Sequence, residues 1–348
     1  DVAAGLMFRH KWVLPALVVL GLAAAGALAY REWHSRNDLS ERGEMLSLLP
    51  PEATSVVFLD LAQFRSSPFL RQLLAWAPQQ APEDDYAQFV EATGFRYERD
   101  LDRAAVATIP AGQNSAFFGI AEGRFDRKKI EAYAGRSGKH IDAGGAAIYS
   151  LQANSTSRRT YLRVLRDDRI AWTNDPAGLS FLQYPGKAAM GGEWRDHFAR
   201  LAGTPLFAVL RQDAPALAEL PQQAPDGYRS PQLAGLLSQL QWVAIAGKPD
   251  GNMLRVVVDG ECLSENTVRQ LNDFLSGIVV LAQAGLNGPK ARKQLDPQVR
   301  EACLGLLNSV DVQKMDRGTS KSVRVVFDIT PKLLEAARTS RDSQHSQQ

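Results

Sequence analysis

The chain has 348 residues, of which 45% are hydrophobic and 22% are charged, and its formal net charge is +2. This composition is typical of a folded protein and excludes global disorder. The small net charge argues against a dedicated nucleic-acid binder, which concentrates a basic face, so we expect no nucleic-acid partner.

An uninterrupted apolar stretch, residues 12–30, lies near the N-terminus and has an aromatic residue at each edge. As a helix rising about 1.5 Å per residue, it spans roughly the 30 Å hydrocarbon core of a bilayer. We predict a short tail over residues 1–11 and a transmembrane signal-anchor helix over 12–30. The alternative is a cleaved signal peptide, because Met7 starts a basic segment and Ala27-Leu28-Ala29 fits a cleavage site.

The predicted anchor also suggests an orientation and a partner. A short tail before a large C-terminal body is the usual layout of a signal-anchor whose tail is cytoplasmic. We therefore expect a single-pass inner-membrane protein whose body, residues 31–348, is periplasmic. Gly21, Ala25 and Ala29 recur every four residues on one helix face, a pattern that lets a second membrane helix approach closely. The alternative is the ordinary Ala and Gly content of membrane helices.

Over residues 31–49 we predict a juxtamembrane helix or stalk that ends at Pro50-Pro51. A first α+β lobe is expected over residues 50–205, from apolar alternation, helical spacing and capping residues. Its predicted strands are 54–61, 104–109, 116–121, 146–151, 160–165 and 170–173, and its predicted helices begin near Ser66, Asp84, Asp126, Asp175 and Glu193.

Residues 211–232 contain four prolines and show no clear period, so we predict a long loop or an irregular helix there as the linker. The second lobe is expected over 206–338, followed by a flexible tail over 339–348. Its predicted elements are a hairpin of 240–246 with 253–258, a long helix capped by Ser264, a helix at 297–307, a hairpin of 310–315 with 323–329, and a helix at 331–338.

The order of elements is similar in the two predicted lobes. We therefore expect an α+β fold with mostly antiparallel sheets, in which the lobes resemble each other. A duplicated module is one explanation of that order, although residue identity between the halves is poor.

No stretch of the sequence predicts a catalytic, cofactor or metal site. The five histidines are isolated and lack the i, i+4 spacing of a helical metal pair. A nucleophile elbow, a phosphate loop and an EF-hand spacing are all missing from the sequence. We therefore expect neither metal nor cofactor and favour a protein that is not an enzyme. The alternative is an enzyme whose site is assembled from residues distant in sequence.

The two cysteines, Cys262 and Cys303, leave two alternatives open. In an oxidising compartment they would close a loop of about forty residues with one disulfide, worth about 3–4 kcal/mol. Otherwise they are two buried thiols.

Two segments rich in basic residues predict a surface for anionic lipid or an acidic partner. The alternative is ordinary solvated faces, because acidic residues are interspersed. The predicted patch consists of Arg124, Arg127, Lys128, Lys129, Arg158, Arg159 and Arg163.

Residues 48–68 resemble a stretch found in a set of other proteins. The stretch Leu48-Leu-Pro-Pro-Glu-Ala-Thr54, followed by Val56-Val-Phe-Leu-Asp60 and Phe64-Arg-Ser-Ser-Pro68, resembles a set of uncharacterised bacterial proteins. Those proteins have an N-terminal membrane segment and an extracytoplasmic α+β body. The resemblance implies a bacterial, envelope-facing protein, and it supplies no catalytic residues.

Two functional hypotheses follow from these observations. In the first, the chain is a non-enzymatic accessory or structural subunit of a membrane protein complex, in contact with the bilayer and with other subunits. In the second, it is a membrane-tethered periplasmic binding protein for a small molecule or lipid, with a cleft between the lobes.

Overall fold

The computed structural model describes residues 41–76, 84–112, 114–143, 145–152, 159–186, 190–223, 231–318 and 320–345. The chain divides into two compact units, Asp1–Ser47 and Leu48–Gln348. In the first unit, residues 41–47 are helical and are named α1. All other described elements belong to the second unit.

The predicted anchor, including Gly21, Ala25 and Ala29, lies outside the described residues. Within the described stretches, no helix combines the length and the apolar composition needed to cross a bilayer.

The strands of the second unit are those predicted from alternation, together with two that were not predicted. They are β1 (Ser55–Asp60), β2 (Leu101–Ala111), β3 (Asn114–Gly123), β4 (Gly138–Ala143), β5 (Ala146–Gln152), β6 (Arg159–Arg166), β7 (Arg169–Thr173), β8 (Leu206–Arg211), β9 (Leu240–Asp250), β10 (Met253–Cys262), β11 (Asp311–Asp316) and β12 (Lys321–Ile329).

The helices of the second unit begin in several cases at a side chain that caps free backbone N–H groups. They are α2 (Leu61–Ser66), α3 (Pro68–Trp76), α4 (Asp84–Thr93), α5 (Tyr97–Asp100), α6 (Arg127–Ser137), α7 (Leu179–Gln183), α8 (Gly192–Arg200), α9 (Pro215–Gln223), α10 (Pro231–Leu237), α11 (Glu265–Asn287), α12 (Pro289–Gln294), α13 (Pro297–Ser309) and α14 (Pro331–His345). The predicted caps Asp126, Asp175 and Ser264 each accept a hydrogen bond from a backbone N–H in the first turn.

All twelve described strands join one sheet in the order β11-β12-β10-β9-β8-β1-β2-β3-β7-β6-β5-β4. Every neighbouring pair is antiparallel. The prediction of an α+β body with mostly antiparallel strands is therefore confirmed.

The strand order repeats outward from the centre of the sheet. The first three strands, β1 to β3, form a meander, α6 follows, and β7 returns to pair with β3. On the other side, β8 to β10 form a meander, α11 follows, and β12 returns to pair with β10. The two series meet where Ser55–Leu59 of β1 pairs with Leu206–Leu210 of β8.

Four segments differ from their predictions. The strands β4 and β8 were missed, and the predicted linker 211–232 contains α9 and α10 rather than one long loop. Helix α14 continues to His345, so helical structure extends into the segment predicted as a tail. The flexibility of residues 339–348 and the lobe boundary at 205/206 stay predictions.

Successive strand side chains alternate between the two faces of the sheet. Face 1 is the side that carries Phe58 and Phe207, and face 2 is the side that carries Val57 and Ala208. Over the β1–β7 series, face 1 is buried, and the α7 residue Phe181 contacts Phe118 there.

In β8, Phe207 and Val209 still bury face 1, whereas over β9 to β12 a large helix-covered core lies on face 2. There, Val243 and Val323 form a core with Val268 and Leu271 of α11. Helices therefore cover face 1 over the β1–β7 series and, through α8, over β8 and β9, and they cover face 2 over β9 to β12.

Candidate functional site

Face 1 opens into a cleft of about 600 Å³ over β9, β10 and β12, beside α8. Helix α8 packs on face 1 through residues spaced three and four apart, which share one helix side. The ring of Trp194 lies 4.9 Å from Trp242, that of His197 lies 4.5 Å from Trp242, and that of Phe198 lies 5.9 Å from Phe207. The cleft thus begins where the helical cover of face 1 ends.

The strand register arranges the floor of this cleft in four rows that cross β9, β10 and β12. Rows 1 to 4 are Trp242–Glu261–Ser322, Ala244–Asp259–Arg324, Ala246–Val257–Val326 and Lys248–Arg255–Asp328. Neighbouring rows lie about 7 Å apart, because a strand rises about 3.4 Å per residue.

Row 1 forms the buried end of the cleft. Arg200 of α8 donates from Nη1 to Glu261 Oε1 at 2.6 Å. Its Nη2 donates to His197 Nδ1, also at 2.6 Å, which requires that nitrogen to carry no proton. Burial, and then the charge of Arg200, lower the pKa of His197 to about 4. His197 is therefore neutral at pH 7, and Arg200 and Glu261 cancel each other's charge.

Row 2 holds two guanidinium groups around one carboxylate. Arg317, from the turn between β11 and β12, donates to Asp259 Oδ2 at 2.8 Å. Arg324 donates to both oxygens of Asp259, at 3.3 and 2.8 Å. Burial alone would raise the pKa of Asp259, but the hydrogen bonds from the two arginines outweigh it and lower that pKa. Row 2 therefore has two fixed cations, one anion and a net positive charge.

Row 3 is apolar, and row 4 lies at the open end near the β9–β10 turn. In row 4, Arg255 donates to Asp328 at 3.0 Å and lies 3.4 Å from Asp250. Lys248 lies directly opposite Arg255, and it pairs with no carboxylate among the residues that the structure describes. Like charges in such cross-strand positions repel each other.

The charged side chains that line the cleft are five cations and three carboxylates. They are Arg200, Lys248, Arg255, Arg317 and Arg324, against Asp250, Asp259 and Glu261. Asp328, which pairs with Arg255 in row 4, adds a fourth carboxylate, so the four rows carry a formal excess of one positive charge, and it lies in row 2. Guanidinium groups bind carboxylates and phosphates through paired hydrogen bonds, and Asp259 already fixes two of them in place. The arrangement is suited to holding an anion.

The structure brings three members of the predicted basic patch together. Arg124, Arg127 and Lys128 surround a shallow depression beside Asp126 and Asp167. Of the other members with described structure, Lys129 follows on α6, and Arg159 and Arg163 belong to β6.

Several members of the predicted patch are already engaged by other groups. Arg127 lies 2.9 Å from Glu131, and Lys129 lies 3.6 Å from Asp126. Arg163 donates to the carbonyls of Leu182 and Gln183 at the end of α7. Arg159 begins β6, and Arg158 lies outside the described residues.

Both cysteines are free thiols in the structure, so the disulfide alternative is not realised there. Cys262 ends β10 and is buried in the core with Leu240 and Val268, whereas Cys303 lies on α13 and is half-buried. Burial, and then the nearby Glu261, raise the pKa of Cys262 to about 11.

The residues of the cleft were not predicted as a site. One signal was present in β10, where Arg255, Val257, Asp259 and Glu261 alternate with apolar residues and glycine, which places three charges on one face. Their partners come from α8 and β12, so only the register brings them together. Among the described residues, no group of three or more His, Cys, Asp or Glu side chains is arranged to hold a metal ion.

No protein-family model matches the chain, and no curated protein matches it either. Among solved structures, the chain is similar to TP0453 in three crystal forms. Crystal form IV aligns with a TM-score of 0.45 at 9% identity, over 85% of this chain and 96% of that one. Crystal forms I and III align with TM-scores of 0.44 at 8% identity, over 84% and 85% of this chain and 96% and 97% of those chains.

Proposed function

We propose that the body of this protein binds a small anionic molecule in the cleft on face 1. The observation that carries this proposal is row 2, where Asp259 holds Arg317 and Arg324 side by side in the floor. Each guanidinium has five N–H donors, and Asp259 uses only some of them. The remaining donors are available to a carboxylate or phosphate group.

The size and the walls of the cleft also support ligand binding. A volume of about 600 Å³ lies within the usual range for small-molecule sites. Trp242, Ala246 and Val257 offer apolar contact on either side of the cations. The cleft draws residues from α8 on one side of the predicted lobe boundary, and from β9, β10, the β11–β12 turn and β12 on the other.

The β1–β8 ladder supports a version of this proposal without a hinge. Five residue pairs join the two strand series directly. A hinge in residues 211–232 would leave this ladder intact and would not separate the two series. We therefore propose a cleft that is already formed before the ligand binds.

The test is thermal unfolding of the full chain in mild detergent with inorganic phosphate and with short carboxylates. A ligand at one hundred times its dissociation constant should stabilise the protein by about 2.7 kcal/mol. Arg324→Gln should abolish this effect. Arg269→Gln, an exposed arginine on α11, is the matched control and should retain it. Equal stabilisation of both variants, or no binding to the wild-type protein, would contradict the proposal.

We further propose that residues 12–30 anchor this body to the inner membrane with the body in the periplasm. The apolar length of the segment and its flanking charges support this. The repeated strand order around the β1–β8 ladder supports two similar lobes. Protease protection of the full chain in spheroplasts, with and without permeabilisation, would test the orientation.

A second candidate function is that of an accessory subunit, and face 2 supports it. One row of face 2 crosses eight neighbouring strands, from β9 through β8 and β1 to β5, without a charged side chain. Its members are Ile245, Ala208, Val57, Val106, Gly119, Trp172, Leu162 and Tyr149. Val57 is 45% exposed, and nearby Phe117 is 47% exposed. Contiguous apolar surface of this kind marks interaction sites.

The occupant proposed for face 2 is another protein subunit with an apolar, uncharged surface, because an unpaired charge buried against this row would be costly. A photo-crosslinker at Val57 should capture one such subunit, and one at the exposed Val280 of α11 should not. Val57→Lys should release that subunit from the purified complex. Crosslinking between copies of this chain, or equal capture from both positions, would contradict the proposal.

A further inference from the structure

The outward side of α11 changes from polar to apolar halfway along the helix. Its exposed positions recur three and four residues apart, as they do on the solvent side of a packed helix. In the first half they are Glu265, Asn266, Arg269, Gln270 and Asp273, and in the second half they are Gly277, Val280, Leu281, Ala284 and Gly285. We name the second set the apolar strip. It presents no polar side chain where the helix faces outward.

The apolar strip is held in this outward position by the opposite side of α11. Val280 and Leu281 are 62% and 67% exposed, more than any other large hydrophobic side chain in the described part of the chain. Behind them, Leu275 packs against the core under the helix. Gln283 donates from Nε2 to the carbonyl of Leu307 on α13 at 3.2 Å. Turning the strip inward would therefore break both the core contact and this hydrogen bond.

A basic segment follows the apolar strip directly. Helix α12 carries Lys290, Arg292 and Lys293, and all three side chains are exposed. The sequence has no acidic residue between Asp273 and Asp296. The end of α11 together with α12 therefore combines exposed apolar surface with three cations and no carboxylate of its own.

The basic residues of α6 lie in a different setting. Arg127 lies 2.9 Å from Glu131, and Lys129 lies 3.6 Å from Asp126. The nearest outward neighbours on that helix are polar rather than apolar. A surface that attracts anions and also offers exposed aliphatic side chains is thus found at α11 and α12, and α6 supplies a natural comparison.

The dimensions of the apolar strip favour a lipid surface over a protein partner. Residues 277–285 form about 14 Å of helix, well short of the roughly 30 Å needed to cross a bilayer. One side of so short a helix also offers much less than the roughly 800 Å² per partner that a stable protein interface buries. Apolar helix faces bordered by Lys and Arg are typical of helices that lie in the membrane interface, where long cationic side chains reach the phosphates.

We infer that the end of α11 and α12 bind the surface of an anionic lipid bilayer. The apolar strip enters the boundary between headgroups and acyl chains, and Lys290, Arg292 and Lys293 bind the lipid phosphates. Each such cation contributes about fivefold to the binding of an anionic membrane. This inference goes beyond the ligand cleft and requires neither its anion nor its occupancy.

The experiment places a fluorophore on the apolar strip of the full chain in lipid nanodiscs. Cys303→Ser removes the half-buried thiol, and Cys262 is buried. In this background, Leu281→Cys is labelled with an environment-sensitive dye. Leu263→Cys is the matched control, because Leu263 is 54% exposed and lies just before the other end of α11.

The discs contain phosphatidylcholine alone or with one-third phosphatidylglycerol, each with and without acyl-chain spin-labelled lipid. In the anionic discs, the dye at position 281 should shift to shorter wavelength and be quenched by the spin label, whereas the dye at position 263 should show neither effect. Quenching at position 281 should weaken in the zwitterionic discs and at high salt, because salt screens the attraction between the cations and the phosphates.

Two sets of charge variants test the role of α12. Lys290→Gln, Arg292→Gln and Lys293→Gln combined should reduce the quenching at position 281 to its level in zwitterionic discs. The same three-residue change on α6, at Arg127, Lys128 and Lys129, should leave it unchanged. Circular dichroism of each variant excludes loss of folding as the cause.

Four results would overturn the inference. An unquenched dye at position 281 on chains that co-elute with anionic discs would show that the strip stays outside the bilayer, while leaving the proposed anchor and cleft in place. Equal quenching at both dye positions, or equal losses for both charge variants, would show that α11 and α12 are not the contact. A wavelength shift that appears without lipid and grows with protein concentration would assign the strip to a second copy of the chain.

Discussion

His197 shows how burial sets the charge of one residue. Its side chain is only 4% exposed and accepts a hydrogen bond from Arg200, so protonation would place two cations in contact. Between pH 6.5 and the folded pKa of about 4, the unfolded chain binds the proton and the folded chain does not. Stability is therefore complete above pH 6.5 and falls as the pH is lowered through this window.

We expect His197→Gln to remove this pH dependence. As the pH falls from 7 to 4, the unfolding free energy of the wild-type protein should decrease by about 2–3 kcal/mol more than that of the variant. Urea denaturation at several pH values measures this difference. If the unfolding free energies of the two proteins changed with pH in parallel, His197 would have the same pKa in the folded and unfolded states.

The two thiols differ in exposure and in acidity, so they should differ in reactivity. Cys262 is 6% exposed and has a pKa of about 11, whereas Cys303 is half-buried on α13. With a thiol reagent at pH 8, one thiol per chain, that of Cys303, should react in the native protein. The thiol of Cys262 should react only after unfolding. Cys303→Ser should abolish the native-state reaction. A native protein that does not react, but that shows two reactive thiols after reduction, would instead support a disulfide between Cys262 and Cys303.

At the scale of elements, the Gly119–Trp172 pair of β3 and β7 illustrates close packing on face 2. The two residues are cross-strand neighbours, and a Cβ at Gly119 would overlap the Trp172 indole. Gly119→Ala should therefore destabilise the protein by about 1–3 kcal/mol in urea denaturation.

Two comparison variants separate this clash from a backbone effect. Gly135→Ala lies in α6 with open space around its Cβ position, and it should stabilise the protein by up to about 1 kcal/mol. In a Trp172→Leu background, Gly119→Ala should cost less than in the wild-type protein. An unchanged cost would locate the strain elsewhere.

Most elements were predictable because their signals are local. Asp126, Asp175 and Ser264 mark helix starts, and apolar alternation marks strands such as β2 and β10. Strand β8 was missed although it lies at the centre of the sheet. A short apolar run does not by itself distinguish a strand from a helix, and its identity here depends on pairing with β1 and β9.

At the scale of the whole molecule, a chain of charges crosses the middle of the sheet. Arg103 of β2 lies 3.6 Å from Asp60 and 3.3 Å from Glu122, and Glu122 also accepts from Arg169 of β7. Arg169 is 2% exposed. Because partners come from four strands, this network requires their relative positions to be fixed at once.

Removing Arg169 should leave Glu122 buried with one partner fewer. We expect Arg169→Met to lower the unfolding free energy by about 3–5 kcal/mol, because removing one partner of a buried ion pair leaves the other charge, here that of Glu122, uncompensated. Arg127→Met, which removes the exposed pair with Glu131, should change it by less than about 1 kcal/mol. Similar losses for both variants, measured in urea, would argue against the buried network.

The cleft could not be predicted from the sequence because it exists only at this scale. Arg200, Asp259 and Arg317 are distant in the chain, and no local pattern relates them. The antiparallel architecture was predictable from alternation. The strand order and register that turn alternating charges into facing rows were not, because they are determined by long-range pairing.

The central β1–β8 ladder has a consequence for how the chain is made. Residues that pair in this ladder, such as Ser55 and Leu210, are separated along the sequence by the whole β1–β7 series. At about 5–20 residues per second, a ribosome emits β1 on the order of ten seconds before β8 exists. During that interval, the backbone groups of Ser55–Leu59 on the β8 side form an open edge beside Val56 and Phe58. A nascent chain paused within this interval presents an aggregation-prone strand edge, which a chaperone would have to shield until residue 211 has left the exit tunnel.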